Sequence, residues 1–302
     1  MCKNMIYTVL GADKRQLAVA RLLAGGGGTV RICGSFDVAD AVDGIELFAD
    51  WRMAISGCNA LILPLPMTRD GVTLPGASDL NGDPVKLDEL VRNVLKNKDC
   101  VVLGGMPSRE VTEKFKRCNV TLVDYYDDVL KLKNALPSAE GAIMLAMQHT
   151  DKVLYGMKVL VCGYGRIGGV LADLLYKLGA DVTVAARRDE SLCEAALNGF
   201  RAVRISSDPD DSFASSAREC DVIFNTVPHR IFTGNILRVI SARTLYIEIA
   251  SAPFGIDASE ARDAGVQVIY APSIPAKYAP VTAGEYIFDS IADILRKRGV
   301  EI

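Results

Sequence analysis

The sequence predicts an α/β protein made of two doubly wound parallel-sheet domains, each a sheet with helices on both faces. Three observations carry that expectation. Short apolar runs alternate with longer amphipathic stretches from end to end; the runs are nearly continuous Val, Ile and Leu bounded by Gly or Pro, as strands covered on both faces require. The chain is also 302 residues long, too long for one ordinary core and suited to two domains of roughly 100–200 residues.

The first five runs lie at 5–11, 29–34, 60–66, 100–105 and 121–125, with candidate helices at 14–24, 87–96 and 110–116. The glycine run at 25–28 links a helix to a strand and reads as a turn. The series divides within NALPSAEGAIMLAMQHT, where a helix starting at Pro137 or Ser138 carries the chain from one sheet to the next. Five further runs follow at 158–163, 181–186, 221–226, 245–250 and 266–271, with helices at 167–178 and 258–264. A final amphipathic helix at 282–298 has apolar residues at three-and-four spacing and is expected to return to the first domain. The domains are therefore expected to be 1–137 plus 281–302, and 138–280.

Composition narrows the function. Lys and Arg total 34 against 37 Asp and Glu, for a net charge of −3. With no basic block, a nucleic-acid partner is not expected. The eight cysteines include no CxxC pair, so neither a zinc or iron–sulfur cluster nor a disulfide framework is expected. Cys33, Cys100, Cys162 and Cys220 lie in or beside apolar runs and read as inert buried thiols. MCKNMIYTVLG reads as a first strand rather than a signal sequence, and no run approaches a membrane span, so a cytoplasmic protein without membrane contact is expected.

The strongest local motif is KVLVCGYGRIG at 158–168. Gly163, Gly165 and Gly168, with Tyr164, Arg166 and Ile167 between them, form GxGxxG after a strand and before a helix. The first glycine permits the tight turn, the second admits a pyrophosphate, and the third lets helix and strand pack closely. About 20 residues on, where a carboxylate would hold the adenine ribose of NAD, the strand ends in Ala185, Ala186, Arg187 and Arg188, with Asp189 only afterwards. Two guanidiniums suit a 2′-phosphate, which favours NADP. The strand at 221–228 ends in Asn225, Thr226, Val227 and Pro228, placed to meet the nicotinamide ribose.

Beyond the glycine fingerprint, GADKRQLAVARLLA, LILPLPMTRDGV, GGMPS, NALPSAEGAIMLAM, DVIFNTVP and APVTAGEYI together resemble the family of dipicolinate synthase A subunits, in order and over essentially the whole chain. The resemblance implies a spore-forming bacterium and an oxidoreductase subunit that works with a flavoprotein B subunit, forming dipicolinate from a dihydrodipicolinate precursor of the lysine pathway. It also implies a fold similar to the D-2-hydroxyacid dehydrogenases: a flavodoxin-like substrate domain, a Rossmann domain and a cleft between them. Two departures stand out. Phe254, in Ser251-Ala252-Pro253-Phe254-Gly255, replaces a glycine of the family pattern, and His229 after Pro228 is not part of it.

A dicarboxylate ring needs cationic partners. Lys14, Arg15 and Arg69 follow strand ends of the first domain and are the candidates, with Arg15 and Arg69 preferred; Ser108 reads as a helix N-cap. For acid–base work the candidates are Glu140 and Glu285, at the interdomain connections where partial burial raises a carboxyl pKa, and His229 at the cofactor edge. His149 reads as an exposed helix end. Two other functions stay open: a D-2-hydroxyacid dehydrogenase relative, disfavoured because no histidine follows residue 229, and a non-catalytic protein that binds cofactor or substrate and docks the flavoprotein. Self-association into a homo-oligomer is also expected.

Overall fold

The computed structural model describes residues 5–11, 13–36, 44–79, 81–96, 100–209, 211–300 and 302; residues 1–4, Cys2 among them, and Ala12 lie outside them. The chain forms two compact units, Met1–Lys131 with Pro280–Ile302, and Leu132–Ala279.

Unit 1 runs β1 (Ile6–Leu10), α1 (Lys14–Gly25), β2 (Thr29–Cys33), β3 (Ile45–Leu47), α2 (Trp51–Ala54), β4 (Ala60–Ile62), β5 (Thr73–Ser78), β6 (Pro84–Lys86), α3 (Leu87–Val94), β7 (Val101–Gly104), α4 (Arg109–Arg117), β8 (Leu122–Asp124) and α5 (Asp128–Lys133). Its main sheet has the order β3-β2-β1-β4-β7-β8, parallel throughout. The order β2-β1-β4-β7-β8 is the flavodoxin order, and β3 extends one edge. Successive residues along β4 serve opposite faces: Ala60 and Ile62 enter one apolar cluster, Leu61 the other. That explains an apolar run without alternation.

Unit 2 runs α6 (Ala135–His149), β9 (Lys158–Cys162), α7 (Arg166–Lys177), β10 (Asp181–Ala186), α8 (Asp189–Leu197), β11 (Arg201–Arg204), α9 (Ser212–Glu219), β12 (Val222–Asn225), α10 (Gly234–Val239), β13 (Leu245–Glu248), α11 (Ala258–Asp263), β14 (Gln267–Tyr270) and α12 (Ile274–Tyr278). The sheet order β11-β10-β9-β12-β13-β14 is that of a dinucleotide-binding fold, reversing between β9 and β12. Val159 and Val161 of β9 pack on one face, Leu160 and Cys162 on the other. The fold class expected from the sequence is the one observed.

Some strands escaped the sequence pattern. In the main sheets, β3 is three residues long and β11 reads RAVR with charge at both ends. Outside them, β5, TLPGAS, carries Pro and Gly and pairs antiparallel with the short β6 as a separate hairpin, where such residues are tolerated. Helix α6 starts at Ala135, ahead of the expected Pro137 or Ser138, because proline is accepted in the first turn, where its missing N–H has no helical partner.

The last helix, α13 (Pro280–Lys297), packs on α1 in unit 1. Ile287, Ile291 and Leu295 complete the cluster around Val9, Val19 and Ile62. Gly284 permits this contact, since a Cβ there would lie 2.5 Å from Ala18 Cβ and 2.7 Å from the Arg15 carbonyl. Gly141 of α6 plays the same part in unit 2, where a Cβ would meet Ile274 of α12. The glycines of the PSAEGA and TAGE segments are thus explained by helix contact. Among the described residues no helix is long and apolar enough to cross a membrane.

Candidate nucleotide site

The fingerprint sits where β9 turns into α7, beside the reversal in strand order. Gly163 has φ +96°, and a side chain there would run into Thr226 Oγ1. Gly168 lies against the turn, because a Cβ would stand 2.0 Å from the Gly163 carbonyl oxygen. Gly165 differs from both: it is exposed, nothing stands within 4 Å of where its Cβ would be, and it is the N-cap of α7 without any side-chain cap. The first turn of α7 contains no acid. Its N–H groups and the positive end of its dipole therefore suit an anion.

The residues between the glycines divide by role. Arg166 is exposed and Ile167 half-buried at the start of α7. Tyr164 turns toward α8: its ring meets Phe200 edge-on at 6.1 Å, and its hydroxyl accepts from Asn198 Nδ2 at 3.1 Å.

Arg187 and Arg188 are exposed at the end of β10. Arg188 donates to Ser191 Oγ at 3.2 Å. A third arginine, Arg204 at the end of β11, donates to the Arg187 carbonyl at 2.7 Å and pairs with Asp189. The acid nearest the strand end is thereby neutralised. Sequence reading missed Arg204 because β11 itself went unrecognised; Ala186 and Arg204 are in fact register partners.

At the end of β12, Asn225 is fully buried and engaged on every side. Its amide donates to the Val227 carbonyl at 3.0 Å and to Glu248 Oε1 at 2.7 Å, while its Oδ1 accepts from the Val227 N–H. Thr226 commits its hydroxyl to the Cys162 carbonyl at 2.9 Å. These two side chains shape the edge, leaving the backbone of Thr226, Val227 and the exposed Pro228 to border a ligand.

Glu248, at the end of β13, organises the next loop. It is 1% exposed, and its carboxylate accepts from Asn225, Ala250 N–H, Tyr246 Oη at 3.2 Å and Gly255 N–H at 2.8 Å. Burial pushes its pKa up, against the pull of these four donors. The loop contains a cis Ala252–Pro253 bond. Phe254, the departure from the family pattern, stands edge-on to Tyr270 at 5.0 Å, and both line an open groove of about 580 Å³ with Arg230, Pro253, Ile256 and Asp257.

The acid–base candidates in this unit, Glu140 and His229, are both exposed; His149 is also exposed, bonded through Nδ1 to the Leu145 carbonyl. Glu285, in unit 1, is exposed too. The partial burial expected of the two glutamates is absent because each stands beside a glycine that faces the neighbouring helix, which turns the glutamate outward.

In unit 1 the anion candidates have distinct environments. Arg15 is 8% exposed and its guanidinium is bound by Asp13, with a second donation to the Leu65 carbonyl beside the cis Leu65–Pro66 bond. Lys14 and Arg69 are exposed. Arg69 precedes a tight turn in which Asp70 accepts from Val72 N–H and Thr73 N–H, both at 2.8 Å, and from Thr73 Oγ1, which lowers its carboxyl pKa. Ser108 caps α4 through Val111 N–H, as expected.

Comparison with known proteins agrees with this geometry. Residues 6–126 match the N-terminal domain of the dipicolinate synthase A subunit, and residues 159–272 match the TrkA-N domain. The dipicolinate synthase A subunit of Bacillus subtilis (strain 168) is 27% identical over 98% of this chain and 97% of its own. The crystal structure of the corresponding dipicolinate synthase A subunit from Bacillus halodurans superposes with a TM-score of 0.82 at 30% identity, over 98% of this chain and 99% of the other. An L-alanine dehydrogenase shares the two-domain fold, with a TM-score of 0.64 at 18% identity over 98% and 91%. With 30% identity and a shared fold over nearly the full length of both chains, this protein belongs to the family of dipicolinate synthase A subunits.

Proposed function

We propose that this chain is the NADP-dependent oxidoreductase component of a dipicolinate synthase, working with a flavoprotein B subunit to form dipicolinate from a dihydrodipicolinate-type ring. The observation that carries the reading is the uncapped, acid-free start of α7 at the open Gly165, with Arg187 and Arg188 at the end of the neighbouring strand. The N–H groups of α7 hold the pyrophosphate, and Arg187 and Arg188 hold the 2′-phosphate. Arg204 pairs with Asp189, which weakens the repulsion of that phosphate by the acid next to the strand end. Thr226, Val227 and Pro228 border the nicotinamide ribose, with Asn225 fixing their backbone.

Bound NADP supplies a nicotinamide ring that accepts a hydride as the substrate ring becomes aromatic. The chain supplies the rest. The exposed Lys14 and Arg69 offer cations to the two ring carboxylates, while Arg15 holds the strand ends beneath them through Asp13 and Leu65. The proton that leaves with the hydride goes to Glu140, Glu285 or His229, and single alanine variants identify which by the loss of turnover without loss of nucleotide binding. The protein is read as cytoplasmic and, like many two-domain dehydrogenases, as a homo-oligomer.

Calorimetric titration of the purified chain with NADP and with NAD tests the cofactor. NADP is expected to bind at least tenfold more tightly, and Arg187→Ala to lower NADP affinity by about 10- to 100-fold, as for one charge-assisted contact, with NAD affinity unchanged. Equal binding of both nucleotides would overturn the NADP reading. Failure of both to bind would leave a purely structural glycine turn and a chain whose part is to dock the flavoprotein.

A further inference from the structure

Unit 1 contains a pair of thiols that the proposed reaction does not use. Cys58 precedes β4 and Cys100 precedes β7, and these strands are parallel neighbours with Ala60 and Val101 as register partners. The two sulfurs stand 3.4 Å apart. A disulfide measures about 2.05 Å between sulfurs, so the gap to close is on the order of 1.4 Å, within reach of side-chain torsions alone.

The surroundings favour reaction. Cys58 is 1% exposed, whereas Cys100 is half-buried and accessible to a small oxidant. The hydrogen bond from Cys100 lowers the Cys58 thiol pKa, and the Arg31 guanidinium adds to that shift. The same hydrogen bond, followed by burial, pushes Cys100 up, so Cys58 is the thiol of the pair that ionises first. Arg31 is held in place by the carbonyls of Ala54 and Ser56.

We propose that Cys58 and Cys100 form a redox-active dithiol that hydrogen peroxide converts to an intramolecular disulfide. A thiolate of the pair attacks one peroxide oxygen, the O–O bond breaks, and hydroxide leaves to give a sulfenic acid. The second thiol, losing its proton, attacks that sulfur; the S–O bond breaks and water leaves. Two electrons pass from the thiols to the peroxide, and one peroxide yields two waters in all. The site lies at the ends where β4 and β7 begin, opposite the carboxyl ends that carry ligand sites in such sheets. Oxidation therefore ties the strand starts together and leaves nucleotide binding intact.

The test treats the full-length chain with peroxide, blocks remaining thiols by alkylation and digests it with trypsin. Cleavage gives peptides 53–69 and 99–109, each with a single cysteine. The expected product is these two peptides joined and lighter by two hydrogens, in most molecules and reversed by dithiothreitol. Cys100→Ser, a conservative change at a half-buried position, should abolish the joined species. The oxidised chain should melt several degrees higher than the reduced one, because the bond closes a long loop, while its NADP titration is unchanged. If both cysteines stay alkylatable while the exposed Cys193 is oxidised, or if Cys58 and Cys100 are each recovered only as sulfinic or sulfonic acids, the proposal is overturned.

Discussion

The two sheets have matching strand orders, yet their first turns are built for different ends. In unit 2 the turn after β9 is glycine at three positions, and α7 starts without a side-chain cap. In unit 1 the turn after β1 places Asp13 at the N-cap of α1, where its carboxylate accepts from Arg15 N–H and Gln16 N–H in a capping box. One helix start is open to an external anion; the other already holds an internal one. Topology alone puts a crevice at each reversal of strand order. On the proposed reading, the cap decides which crevice takes a phosphate.

The most disruptive way to break this contrast is Gly168→Ala. Its Cβ would meet backbone at 2.0 Å, so the turn must open; unit 2 is expected to lose about 3 kcal/mol and nucleotide affinity to fall below detection. Thermal melting combined with calorimetry checks both, and unchanged affinity would remove the fingerprint from the site.

Glu248→Gln has the next largest expected effect. Glutamine offers one acceptor oxygen and turns an amide toward donors that Glu248 satisfies, at a cost of about 2 kcal/mol near neutral pH. The pH dependence sharpens the test. Burial raises the folded pKa of Glu248 above its unfolded value, so the folded state takes up this proton first. As pH falls from the raised folded value to the ordinary carboxylate range, this group adds stability to the wild type. The cost of Glu248→Gln, measured by denaturant unfolding, should therefore grow over that window.

The smallest expected effect is from Asp13→Ala, about 1 kcal/mol from the lost cap, together with freeing of the Arg15 guanidinium. Nucleotide binding by unit 2 should be untouched, which calorimetry checks. A fall in NADP affinity would show that the two helix starts are not independent.

Much of this was legible in the sequence because doubly buried strands leave an unmistakable apolar trace. Ten of the main-sheet strands, the long helices and the return of α13 followed from it, and GxGxxG marked the turn. Short polar edge strands such as β3 and β11 leave no such trace, and with β11 went Arg204. Glu248 and Asn225 were visible as letters but not as a hydrogen-bonded pair, because their meeting depends on register between β12 and β13. Arg15 read as a carboxylate clamp because sequence does not reveal that Asp13, two residues earlier, binds it. Cys100 read as inert for the same reason: its partner lies 42 positions away.

The return of α13 to unit 1 also sets an order of assembly on the ribosome. Unit 2 is an insert whose strands and helices all precede Pro280, so every residue of its core is synthesised before α13. Unit 1 waits for Ile287, Ile291 and Leu295, and its sheet, with every strand already made by Asp124, must persist with one face partly uncovered until α13 appears. The earliest segment to be translated is among the last to be finished.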